Sequence, residues 1–130
     1  MKLSRTLDIS LKKMHRSEFL KLLKHEFPEL TNDVNAGQGL LHFEVGVLKK
    51  YAQRAIYDRD REKFLKCLQL AEAAYREGNA TLKDAIDVSF VEELEFTPSP
   101  KSNCAWAWEM MPNTLKTLYI AFHGSPKIKG

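Results

Sequence analysis

Three amphipathic segments follow one another between Leu40 and Phe96 with breaks of only a few residues, and this constrains the chain more than any other feature. Leu41, Val45, Leu48, Ala52, Ala55 and Ile56 recur at intervals of three and four, the period of one buried helical face. Leu40, Phe43, Val47 and Tyr51 widen that face, so the spacing predicts a helix covered on more than one side. Lys49, Lys50, Gln53 and Arg54 supply its wet side. The turn Tyr57-Asp58-Arg59-Asp60 ends it, and Asp58 or Asp60 caps the next helix by accepting from N–H groups of its first turn. That helix, over 61–77, carries Phe64, Cys67, Leu68, Ala71, Ala74 and Tyr75 on one face. Gly78 then closes it, expected in the left-handed conformation that satisfies the last carbonyls. The third helix, over 81–95, has Leu82, Ile86, Phe90 and Leu94 as one ridge, with Val88 and Val91 on the opposite side. Apolar residues on both sides predict that it lies in the middle of a stack.

Short breaks favour antiparallel neighbours, so the three helices read as an up-down-up layer resembling units of a solenoid. No self-similarity between them marks a repeat family. Upstream, a helix over 17–27 presents Phe19, Leu20, Leu22, Leu23 and Phe27, with Ser17 as its N-cap. It stops before Pro28, because the residue preceding proline is pushed out of helical geometry. A short helical turn over 28–32 and a glycine-bearing loop over 35–39 lead into the central stretch. Residues 1–14 read as an arm, helical or extended, since a lone strand would lack a ladder partner. Pro98 and Pro100 make 97–103 a stiff exposed loop. Beyond it lie a helix over 104–111 capped by Asn103, a last helix over 113–122 offering Leu115, Leu118, Tyr119 and Phe122, and a basic tail over 125–130. The reading is an all-α single domain over 1–130, an antiparallel helical stack of about five to seven helices.

Composition excludes several classes. No apolar run approaches the roughly 18–20 residues of a membrane-spanning helix, and the first residues lack the apolar core of a signal peptide. A cytoplasmic protein without membrane contact is expected. Cys67 and Cys104 stand far apart in sequence with no second cysteine near either, which excludes a CxxC clip and favours buried apolar thiols. The net charge of +3 is unevenly spread. Residues 1–26 carry +4, residues 79–96 carry −4, and residues 97–130 carry +3. That is too little basic excess on one face for a nucleic-acid binder. His15, His25, His42 and His123 show no metal-ligand spacing, so neither metal nor cofactor is expected. His42 and Glu44 point to different sides of a helix, and Ser89 lacks the flanking glycines of a nucleophile elbow. No catalytic motif emerges, and an enzyme is not expected.

Leu41-His42-Phe43-Glu44-Val45-Gly46-Val47-Leu48, the turn near Asp60, and Asp87-Val88-Ser89-Phe90-Val91-Glu92-Glu93-Leu94 resemble a small bacterial helical family of unknown function. Phe27-Pro28-Glu29-Leu30 is similar too. Members stand beside polymorphic or contact-dependent toxins, where such small proteins serve as immunity proteins. The resemblance therefore implies a chain that binds and neutralises one cognate toxin domain. The alternative is a helical scaffold or regulatory adaptor unconnected with toxins.

Two groups of residues are candidates for partner binding. Asp84, Asp87, Glu92, Glu93 and Glu95 offer a negative surface to a basic cleft, raising on-rate and specificity. Glu93 falls along the line of Leu82 and Ile86, so it is expected on the apolar side, paired with a cation or marking an open groove. The plain alternative is a solvated acidic face. Trp106 and Trp108, two residues apart on a helix, point about 200° away from each other. One of them, with Met110 or Met111, is a candidate interface anchor, because aromatic residues dominate binding hot spots. The alternative is that both pack into the core and against the proline loop.

Overall fold

A computed structural model of the chain describes residues 13–96 and 104–126. The sequence reading of the proline loop at 97–103, of Asn103 as a cap, and of most of the arm and tail lies outside the described residues. Those described form seven α-helices: α1 (Arg16–Glu26), α2 (Thr31–Asn35), α3 (Leu41–Asp58), α4 (Arg61–Glu77), α5 (Ala80–Ile86), α6 (Ala105–Met110) and α7 (Asn113–His123). A 3-10 turn, Pro28–Leu30, precedes α2, and a π-helical segment, Asp87–Val91, continues α5. Among the described residues the only β-type pairing is an isolated bridge between Met14 and Gly78. The domain is all-α.

The hub is α3. Its buried residues include Leu41, Val45, Val47, Leu48, Ala52, Ala55 and Ile56, and it packs against α2, α4, α5 and the π segment. Because α3 touches α5 as well as α4, the three long elements close on one another as a bundle rather than lying in an open row. The third helix packs against α3, α4 and, through its π segment, α7. It leaves Asp84 and Val88 in solvent while burying Leu82, Ile86 and Phe90 completely.

Helix ends follow local chemistry, with two departures from expectation, at His15 and at Gly78. The N-cap of α1 is His15, not Ser17, and the His15 N–H donates to Glu18 Oε1 at 2.9 Å as in a capping box. Its apolar face is narrower than expected, since Leu22 is exposed while Phe19 and Leu23 are fully buried. Arg59, with φ 57°, takes the left-handed position after α3, and Asp60 Oδ1 accepts from the Lys63 N–H at 3.1 Å to start α4. Gly78 is extended, with φ −74° and ψ 157°. What requires glycine there is space: a Cβ would stand 2.3 Å from the Ala74 carbonyl oxygen. The entering chain crosses at that point, where the Met14 N–H donates to the Glu77 carbonyl at 2.7 Å and the Asn79 N–H to the Met14 carbonyl at 2.9 Å.

The π segment changes the facing of the chain. A π turn holds one residue more than an α turn, which rotates everything after it by roughly a residue's worth of angle. Val91, five residues after Ile86, is thereby buried beside Phe90 instead of lying opposite the ridge. Glu93 is exposed rather than on the apolar side, and Leu94 returns to the core. Phe122 also departs from expectation, standing 61% exposed while Leu115 and Tyr119 hold α7 to the core.

Candidate functional site

The acidic residues of α5 and its π continuation form the edge of the bundle nearest the start of α3 and the end of α7. His42, on the first turn of α3, reaches across to this edge. Its Nδ1 lies 2.7 Å from Ser89 Oγ and its Nε2 lies 3.6 Å from Asp84 Oδ2. His123, the last residue of α7, approaches from the other side and donates from Nε2 to the Glu92 carbonyl at 2.7 Å. Lys83, the one lysine of α5, turns away, donating to the Tyr75 carbonyl at 2.8 Å and lying over the Tyr75 ring.

The edge is electrostatically uneasy. Partial burial, then the neighbouring Asp84 charge, raises the Asp87 carboxyl above the ordinary range. Glu92 is raised by burial first and then by Asp87, with Glu93 and Asp84 adding to it, while His123 works the other way. Asp87 and Glu92 are thus the members of the edge that their neighbours' charges disfavour. Glu95 does not belong to it. Its carboxylate accepts from the Tyr57 hydroxyl at 3.2 Å. Its backbone exchanges hydrogen bonds with the Gln53 amide at 2.8 and 3.0 Å. Burial and the Glu95 charge together raise the Tyr57 hydroxyl's pKa.

The two indoles point apart, as their spacing requires, yet each meets an aromatic partner. Trp106 stands edge-on to Phe64 of α4 with centroids 5.8 Å apart, and the Arg61 guanidinium lies 4.8 Å from its ring. Trp108 meets Phe96 and Tyr119 at 5.4 and 5.3 Å. Short α6 is thus wedged between α4 on one side and α7 on the other, and both indoles are partly buried against these rings. Met111 is 3% exposed, so its side chain packs in the core and offers no anchor to a partner; Met110 is partly buried.

Sequence spacing missed the alignment of Ser89, His42 and Asp84, because it joins residues 47 apart in the chain. The row can order a serine beside an imidazole. Ser89 sits within a continuous helix, where backbone N–H groups are taken up by the helix's own hydrogen bonds. Asp84 and His42 are also more than half exposed, which weakens their mutual pull. Among the described residues no group of three or more His, Cys, Asp or Glu side chains is placed to hold a metal ion. Cys67, with its thiol pushed up to about 12 by burial, is an inert core residue. No helix of the described residues is long and apolar enough to cross a membrane.

The chain belongs to a family described as a domain of unknown function (DUF7674), whose model matches residues 20–124. No curated protein and no solved structure matches the chain significantly.

Proposed function

We propose that this DUF7674 protein is a binding protein, an immunity protein that neutralises a cognate bacterial toxin by covering its active site with the acidic edge. One observation carries the reading. The carboxylates of Asp84, Asp87, Glu92 and Glu93 are gathered along α5, its π segment and the turn that follows, and two of them, Asp87 and Glu92, are disfavoured by burial and by their neighbours' charge. Such a group is relieved by a partner's lysines or arginines, which steer association and fix its register. A cationic toxin cleft is a fitting counterpart, and the covering mechanism is steric, with no catalysis, metal or cofactor. The same reading puts the protein in the cytoplasm, where an immunity protein meets its toxin. It also excludes nucleic acid from this edge, since like charges repel.

Co-expression with the toxin encoded beside it tests the proposal. The wild-type chain should form a stable complex and restore growth. Asp84→Lys with Asp87→Lys, both on the bundle's outer edge, should weaken the complex at least about tenfold. No complex and no rescue by the wild type would sink the reading. A complex with a protein unrelated to toxins would establish the adaptor alternative instead.

A further inference from the structure

A second stripe of α3 faces a different surface from the acidic edge. Phe43, Val47, Lys50 and Arg54 recur at intervals of four, three and four, and form one wall of an open groove of about 380 Å3. Leu30, Asp33 and Ala36 form the other wall, and Tyr51 contributes to its lining. The floor is apolar and fixed. Leu30 and Val47 are nearly buried, and Tyr51 is held edge-on to Phe27 with its hydroxyl already donated to Glu29. Phe43 is half exposed, and it is supported from below. A Cβ at Gly37 would stand 2.8 Å from Phe43 Cδ1, so the ring lies directly on the loop backbone.

Charge divides the groove along its length. Phe43 and Val47 make one end apolar, while Lys50 and Arg54, four residues apart, make the other cationic. Like charges at that spacing repel. Among the described residues Arg54 is answered only by an exposed contact with Asp58 at 3.4 Å, and Lys50 forms no ion pair. Asp33 on the facing wall would push an incoming anion toward α3. We propose that this groove docks a polypeptide segment of a partner that seats a large apolar side chain against Phe43 and Val47 and lays a carboxylate between Lys50 and Arg54. Its open form suits a chain segment, since sites for free small molecules enclose most of their ligand. The inference is independent of the acidic edge and of any toxin.

The test is a nuclear magnetic resonance titration of the labelled full chain with two synthetic helical peptides. One carries leucines followed a turn later by glutamates; the other has lysines in place of the glutamates. The acidic peptide should shift the amides of Ala36, Val47, Lys50 and Arg54, and the basic one should bind at least about tenfold more weakly. Lys50→Glu with Arg54→Glu should reverse that order, while Phe43→Ser should weaken both peptides. Both cations and Phe43 are exposed, so dispersed spectra should verify that these variants fold. The proposal is overturned by an absence of localised shifts, by equal binding of the two peptides, or by failure of the charge reversal to change their order. Equally strong binding of decanoate would replace a polypeptide with a small amphiphile, and self-association through the groove would replace it with a second copy.

Discussion

Glu44 on α3 and Asp87 on the neighbouring π segment are both carboxylates drawn out of water, and they meet opposite fates. Glu44 is only 2% exposed, yet it receives the Arg16 guanidinium in a two-armed grip, with Nε at 2.8 Å and the second nitrogen at 2.6 Å. The hydrogen bonds from Arg16 to Glu44 raise the guanidinium's pKa, holding its charge firmly. Asp87 is less buried, yet its carboxyl is raised, first by that partial burial and then by the Asp84 charge. Depth alone therefore does not decide whether a carboxylate is well held or disfavoured. What separates the two is whether the fold itself supplies the counter-ion. Glu44 ties α1 to α3 with its counter-ion in place, whereas among the described residues Asp87 forms no ion pair.

The largest test of this contrast is Arg16→Ala. Breaking a fully buried pair costs about 3–5 kcal/mol. The Arg16 side chain is 41% exposed, so water partly replaces it, and a loss of about 2–3 kcal/mol is expected from the urea midpoint. Adding Glu44→Gln should return part of that loss, because the stranded charge is then gone. A loss below about 0.5 kcal/mol would place Glu44 with the ordinary surface acids. Arg16→Lys is gentler. It keeps the charge but cannot reproduce the two parallel bonds, so about 1 kcal/mol should be lost in the same measurement.

How much of this was legible in the sequence follows from the range of each interaction. The bounds of α4 and the buried Leu82-Ile86-Phe90 ridge could be read because helical period is local and the apolar contrast is strong. The π segment was not legible, since its packing against α3 and α7 is non-local, and Glu93 was misplaced for that reason. The cap of α1 was half visible. Glu18 three residues after His15 has the capping-box spacing, but a nearby serine fitted the residue preference better. The acidic edge showed itself as a charge run, whereas its two histidines did not. His42 precedes Ser89 by 47 residues and His123 follows Glu92 by 31, distances at which spacing carries no information. The Arg16–Glu44 pair, 28 residues apart, was hidden in the same way.

The smallest expected effect is the most diagnostic, because its sign is opposite. Asp87 has a folded-state pKa above its unfolded one, so the folded chain holds the proton more tightly. Stability must then fall as pH rises from the ordinary aspartate pKa, near about 4, through the raised folded value, and the penalty is complete above it. Asp87→Asn removes the penalty. At neutral pH it should gain about 0.3–0.5 kcal/mol, the size of a like-charge pair on one helix, or about 1–2 °C in melting temperature. The gain should vanish at pH 3, where the wild-type carboxyl is protonated in both states. It should also shrink in 1 M salt, where the screening length falls to about 3 Å. A structural carboxylate would lose stability on the same change. If the edge is a binding surface, the variant that melts higher should be the one that holds a basic partner less well, and a variant improved in both would remove Asp87 from the site.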